Sequence, residues 1–174
     1  MKKLLTPTWT INTIYDIQPE DLIRHNIRAI ICDLDNTLIA WNQWEHTEEM
    51  ASWLEKYKKA GLGVYLLSNN NYKRVLKVAE PLELRFTSSA LKPRRKNFVI
   101  AIDDLQVPHE QIAVIGDQIM TDVIGANRNN LKSILVKPIA PNDNIFTLLN
   151  RLIERFVFKI IGIDKNSDWG SKLD

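Results

Sequence analysis

The stretch Ile27-Arg28-Ala29-Ile30-Ile31-Cys32-Asp33-Leu34-Asp35-Asn36-Thr37-Leu38 decides the fold. Its first six residues form a short apolar run broken only by Arg28, the composition of a strand buried on both faces. Two carboxylates follow at once, at Asp33 and Asp35. Residues two apart in an extended segment project to the same side, so both acids leave the strand end together and their charges call for a cation. A hard ion such as Mg²⁺ suits such oxygen ligands, and it often relies on a few carboxylates plus phosphate oxygens.

Working outward, the same grammar of apolar strand, polar residues and helix recurs. Val64 to Leu67 reads as a strand that delivers Ser68, Asn69 and Asn70, whose hydroxyl and amides suit phosphate oxygens, and Asn71 to Glu80 follows as a helix closed by Pro81. Ile112 to Ile115 is a buried strand ending at Gly116-Asp117-Gln118-Ile119-Met120-Thr121-Asp122, with a helix from Thr121 to Asn129. Ser133 to Val136 is another strand, and Leu84 to Phe86 a weak one. Thr47 to Ala60 carries Met50, Trp53, Leu54 and Tyr57 at helical spacing, with Gly61 as its stop. Pro93 suits the first turn of a helix running to Leu105, and Lys92 stands just before it as a point charge able to hold phosphate and nucleophile in register. A short helix at Pro19 to His25 and a long one at Asn144 to Ile161 complete the pattern. Strands alternating with helices predict a doubly wound parallel sheet covered on both faces, with ligands outside the carboxyl ends of the strands.

Length and composition set the bounds. At 174 residues and 45% hydrophobic, the chain supports one core. We therefore expect a single domain over 1–174, with an N-terminal extension at 1–26, an amphipathic helix at 144–161 and a frayed tail at 164–174. A formal net charge of +2 gives no general attraction to nucleic acid. The single cysteine, Cys32, excludes an intramolecular disulfide and suits a reducing compartment. Thr6, Pro7, Thr8 and Asn12 interrupt the N-terminus, so no signal peptide is expected, and charges in the last helix argue against a spanning segment. The expected location is cytoplasmic, peripheral at the inner face of a membrane.

The four polar clusters together resemble the haloacid dehalogenase (HAD) superfamily, whose motifs are DxDxT, a Ser or Thr after the second strand, a Lys, and GDxxxD or a close variant. All four match in order, at Asp33 to Thr37, Ser68, Lys92 and Gly116 to Asp122. The spellings Asp35-Asn36-Thr37-Leu38, Ala90-Leu91-Lys92-Pro93 and Gly116-Asp117-Gln118 with Thr121-Asp122 are similar to those of the YqeG-like phosphatases of subfamily IIIA. The resemblance covers roughly Leu5 to Leu149. It implies a Rossmann-like α/β three-layer sandwich with a five-stranded, mainly parallel sheet of order 5-4-1-2-3.

The same resemblance implies roles. Asp33 would be the nucleophile, and Asp35 the general acid and then the base. Mg²⁺ would sit between Asp33, the Asp35 backbone carbonyl, Asp117 and Asp122. Ser68, Asn69 and Lys92 would hold phosphoryl oxygens, and Thr37 would steady the first loop through its hydroxyl. An Asp at the second position of DxD suits phosphate esters and is lacking in dehalogenases. A P-type ATPase would need DKTGT and membrane spans, and a receiver domain would carry its lysine later. Cys32 lacks the Arg six residues on that a thiol phosphatase needs, since that position is Leu38. The three histidines show no zinc spacing.

The gaps from Asp35 to Ser68 and from Ser68 to Lys92 are too short for a full cap domain. An open site suits a bulky phosphomonoester. In the last helix Ile145, Leu148, Leu149, Leu152, Ile153, Phe156 and Ile160 form an apolar face while Arg151, Arg155 and Lys159 recur every fourth residue, a pattern of core packing, a dimer seam or peripheral membrane contact. Since YqeG-like proteins resemble a fungal mitochondrial phosphatidylglycerophosphate phosphatase, that anionic phospholipid is the candidate substrate. Alternatives are a sugar phosphate, a phosphorylated macromolecule, or a catalytically quiet binding module.

Overall fold

The computed structural model describes residues 2–140 and 146–173, apart from the side chains at 146–152 and 155. In chain order the elements are α1 (Lys2–Leu5), β1 (Trp9–Ile11), α2 (Pro19–Arg24), β2 (Ala29–Cys32), α3 (Glu48–Lys59), β3 (Gly63–Leu67) and α4 (Tyr72–Ala79). There follow β4 (Arg85–Thr87), α5 (Arg95–Leu105), β5 (Ile112–Gly116), α6 (Ile124–Arg128), β6 (Lys132–Val136) and α7 (Phe146–Ile161).

The strands form one parallel sheet of order β1-β6-β5-β2-β3-β4. The expected order of five holds for β6-β5-β2-β3-β4, but the sheet has six strands, and the addition is β1. Three residues, Trp9, Thr10 and Ile11, carry too little periodicity to be read as a strand; pairing in register with Ile134, Leu135 and Val136 makes them one.

Period-two geometry divides β2 between two cores. Ile30 and Cys32 face one side with Leu66, Ile115 and Ile134, where α3 contributes Met50, Trp53, Leu54 and Tyr57. Ala29 and Ile31 face the other with Tyr65, Leu67 and Val114, covered by Phe98, Ala101, Ile102 and Leu105 of α5. All four β2 residues are fully buried, as the continuous apolar run requires.

Local chemistry sets the helix starts. Thr47 Oγ1 accepts a hydrogen bond from Met50 N at 3.0 Å, and Asn71 Oδ1 one from Arg74 N at 3.0 Å; each cap contributes about 1 kcal/mol. Pro93, expected within the first turn of α5, stands in the preceding turn, where Arg94 N donates to Leu91 O, and the helix begins at Arg95. The segment from Thr121 starts as a wide π turn, Ile119–Val123, before α6.

The last helix packs on the core, one of the alternatives its pattern allowed, and the expected frayed tail is corrected. The last helix buries Val157, Phe158 and Ile161 against Ile119, Val123 and Leu135, leaving Ile153, Phe156, Lys159 and Ile160 exposed; Asn144 and Ile145, and the side chains of Leu148, Leu149, Arg151, Leu152 and Arg155, lie outside the described residues. Nor does the tail fray. Asn12 N donates to Gly170 O at 3.1 Å, Trp169 N donates to Asn12 Oδ1 at 3.1 Å, and Leu173 is buried in the main core. A hydrophilic tail gave no sign of this in sequence because its anchors, Asn12 and His25, are remote. No helix among the described residues is long and apolar enough to cross a membrane.

Gly125 lets α6 approach α5, because a Cβ there would lie 2.2 Å from Cζ of the fully buried Phe98. Helix propensity alone favours Gly125→Ala by about 1 kcal/mol, whereas overpacking a rigid core costs about 1–3 kcal/mol. We expect a net loss of stability, read as a lower denaturant midpoint at unchanged slope.

Candidate active site

The polar residues that follow β2, β3 and β5 converge because parallel strands end on one edge. Asp33 continues β2, with its N–H donating to Ile115 O at 2.9 Å. Asp117 follows β5, and Asp122 returns from the π turn beside it. The turn is a wide insertion of the kind found at functional sites, and it brings Asp122 so close that a Cβ on Gly116 would lie 2.2 Å from the Asp122 Cγ. Only glycine fits there.

Lys92 joins these elements. Its Nζ donates to Asp33 Oδ1 at 2.6 Å and to Asp122 Oδ1 at 2.7 Å, and all three side chains are almost entirely buried. A lone buried ammonium would be costly, but two carboxylates compensate. Burial alone would depress the Lys92 pKa; Asp122 and Asp33 outweigh it and hold the lysine charged. Asp122 also accepts from Gln118 N and Thr121 Oγ1, both at 3.2 Å through Oδ2.

Three carboxylates share one ammonium. Oxygens of Asp33, Asp117 and Asp122 lie within 4.8 Å of one another. Desolvation pushes Asp33 up to about 7, opposed by Lys92 and reinforced by Asp122. Asp117 is raised well above the carboxylate range by burial, then by Asp33 and Asp122. Asp117 Oδ1 is buried without a hydrogen-bond partner. An orphaned buried carboxylate oxygen beside two further acids is the donor set of a divalent cation site, and the residues present fit one.

Asp35 points elsewhere. Its Oδ1 accepts from Arg74 Nη2 at 2.8 Å and Nε at 3.2 Å, and its Oδ2 from Asn70 Nδ2 at 2.9 Å. Its carboxylate is not part of the three-acid cluster, so any role of Asp35 toward a cation falls to its backbone. Ser68, 1% exposed, accepts from Asn70 N at 3.1 Å, which leaves its O–H to donate.

Asn69 and Thr37 stand differently from the other expected site residues. The amide of Asn69, expected on phosphoryl oxygens, brackets the Lys92 backbone: Oδ1 accepts from Lys92 N at 2.7 Å and Nδ2 donates to Lys92 O at 3.4 Å. Thr37, expected to steady the first loop, has a buried hydroxyl with no partner. Asn36 does that work. It adopts φ 64°, its N donates to Ile39 O at 2.6 Å, its O accepts from Ile139 N at 3.0 Å and its Oδ1 from Trp41 N at 3.3 Å. Asn is among the residues that tolerate the left-handed region, so its place in Asp35-Asn36-Thr37 was a usable signal. Arg74 was not singled out in sequence, since an arginine inside a helix reads as solvated surface; here it is 2% exposed, with Trp44 over its guanidinium at 5.6 Å.

Comparison with known proteins bears on the family and the fold. Residues 90–138 match a family described as HAD-hydrolase-like. The chain is 38% identical over 169 residues, 97% of its own length and 98% of the relative's, to "Probable phosphatase YqeG" of Bacillus subtilis (strain 168). Solved structures share the fold. The cobalt-bound deoxy-D-mannose-octulosonate 8-phosphate phosphatase of Haemophilus influenzae superposes with TM-score 0.54 at 16% identity, covering 79% of this chain and 91% of that one. An uncharacterized protein from Listeria monocytogenes serotype 4b gives 0.53 at 18%, covering 68% and 84%. An α/β domain with this acid–lysine cluster, and a relative aligned over nearly its whole length, therefore make the chain a member of the haloacid dehalogenase superfamily, among the YqeG-like phosphatases that hydrolyse phosphoric monoesters.

Proposed function

We propose that Asp33 is the nucleophile of a two-step hydrolysis and carries the phosphoryl group between the steps. The observation that carries this reading is the position of Asp33, 2.6 Å from a buried ammonium and within a three-carboxylate pocket. In the first step an Asp33 oxygen attacks phosphorus, the ester P–O bond breaks, and Asp35 supplies the proton to the leaving oxygen. In the second, water attacks phosphorus, Asp35 accepts its proton, and the bond to Asp33 breaks, releasing inorganic phosphate. Lys92 and the Ser68 hydroxyl hold the phosphoryl oxygens, while Asn69 keeps the Lys92 backbone in place.

Asp33, Asp117, Asp122 and the Asp35 carbonyl would hold a divalent ion, for which Mg²⁺ is proposed because every donor is oxygen. When bound, it neutralises the charge that otherwise keeps an anionic nucleophile from an anionic phosphate.

The proposed substrate is a lipid phosphomonoester, with phosphatidylglycerophosphate the candidate. Two features support it. Between β2 and β3 the chain holds only a loop and α3, so the mouth has no cap. Around it, Trp44, Leu91 and Ile139 are 60%, 57% and 44% exposed on loops and Tyr72 is 58% exposed at the start of α4, with Lys73, Arg94 and Lys96 exposed nearby. Apolar side chains mixed with cations suit an anionic lipid surface. Peripheral membrane contact from the cytoplasmic side, with Lys159 and the last helix a second contact, goes with this reading.

Four outcomes test these proposals. Asp33→Asn keeps the shape of the side chain but not its nucleophilicity, so turnover should vanish while thermal unfolding stays near wild type; activity within a few-fold of wild type rejects the mechanism. Chelation should abolish activity and Mg²⁺ restore it. Because burial raises the Asp33 pKa to about 7, the metal-free carboxyl keeps its proton below that pH and must lose it to bind a cation. Affinity by titration calorimetry should climb as pH rises through about 7. Finally, Leu91→Ser combined with Ile139→Ser should raise KM about tenfold for phosphatidylglycerophosphate in micelles and leave p-nitrophenyl phosphate hydrolysis unchanged. Turnover of small sugar phosphates but not of the lipid would overturn the substrate.

A further inference from the structure

We infer that Arg74 is a positioning residue for the proton-transfer step, aiming the Asp35 carboxylate through paired hydrogen bonds to its Oδ1. The inference rests on the role proposed for Asp35 and adds the device that directs it.

Asp33 and Asp35 leave the same strand end two residues apart, next to a pocket where Lys92 already serves two acids. A free Asp35 side chain would be drawn toward the same ammonium or the same cation. Arg74 prevents this. Its Nε and Nη2 both reach Asp35 Oδ1, at 3.2 and 2.8 Å, while Asn70 Nδ2 takes Oδ2 at 2.9 Å. Both carboxylate oxygens are thereby fixed. Each acid of the motif has its own cation, Lys92 for Asp33 and Arg74 for Asp35.

The clamp is itself rigid. The Arg74 side chain is 3% exposed, against 21% for that of Asp35, so the guanidinium is enclosed while its partner still opens toward the mouth. Asn71 caps the backbone of Arg74 at 3.0 Å, and the Trp44 ring lies over the guanidinium at 5.6 Å. A planar guanidinium suits this task better than an ammonium, because its Nε and Nη2 donors converge on one oxygen from a fixed plane and so set direction as well as distance. Proton transfer to a leaving oxygen is sensitive to displacements of order an ångström. Arg74 acts through Asp35 and has no contact with the reacting phosphorus in this account.

The consequence is selective. Esters with poor leaving groups need the proton from Asp35, whereas p-nitrophenyl phosphate needs it little. We would measure kcat/KM, which reports phosphoryl transfer to Asp33, for p-nitrophenyl phosphate and an alkyl phosphate such as glycerol 1-phosphate, in wild type, Arg74→Met, Arg74→Lys, Asp35→Asn and the double variant Arg74→Met with Asp35→Asn. Arg74→Met should lower the alkyl value about 100-fold and the aryl value less than about fivefold, and Arg74→Lys should recover only part of the loss. In the Asp35→Asn background, Arg74→Met should have no further effect. Equal losses on both esters, or additive losses in the double variant, would overturn the inference and assign Arg74 to phosphate binding or to the fold. If Arg74→Met does not fold by circular dichroism, Asn70→Ala and Arg74→Lys carry the same comparison. Because the second step also needs Asp35, overall turnover of Asp35→Asn should fall on both esters; a p-nitrophenol burst slowed in Asp35→Asn as much as alkyl phosphoryl transfer would instead reject Asp35 as the proton donor.

Discussion

A single buried ammonium organises this molecule. Lys92 Nζ lies 2.6 Å from Asp33 and 2.7 Å from Asp122 with almost no solvent access, in a setting where an unpaired charge of either sign would be severely penalised. The pairing joins the end of β2, the turn before α5 and the π turn after β5, segments remote in the chain. Much of the local architecture follows from it: the Asn69 amide that brackets the Lys92 backbone, and the glycine at 116 that admits Asp122.

One ammonium cannot compensate three acids. Burial pushes both Asp33 and Asp117 up in pKa, Asp122 adds to each, and Asp117 keeps an oxygen with no partner. The electrostatic deficit is the physical content of the cation site. It also separates the two acids of the first motif, since Asp35 is held away from the cluster by Arg74 and Asn70. Side chains two residues apart thus acquire different partners, and with them different chemistry.

The fold contributes direction. Parallel strands deliver Asp33, Ser68 and Asp117 to one sheet edge, and the crossover between β2 and β3 adds only α3 and a loop. An uncapped edge leaves specificity to the rim, where the loops carry exposed aromatic and aliphatic side chains together with cations.

Read as a string, the chain already determined the parallel core, its strand-end chemistry and most of the site. Continuous apolar runs at β2, β3 and β5 specify buried strands, and the residues after them are polar where burial would otherwise forbid it. What it withheld was every feature decided by contact at a distance. Trp9–Ile11 becomes a strand only against β6, and the polar tail is ordered by Asn12 and His25. Val157, Phe158 and Ile161, not Ile153, Phe156 and Ile160, face the core in the last helix. The duties of Asn69, Thr37 and Arg74 depend on which neighbour folding brings within 3 Å or so, because a hydrogen bond is short and directional. Hydrophobic periodicity is a local property and survives in one dimension; the partner of a polar group is a property of three.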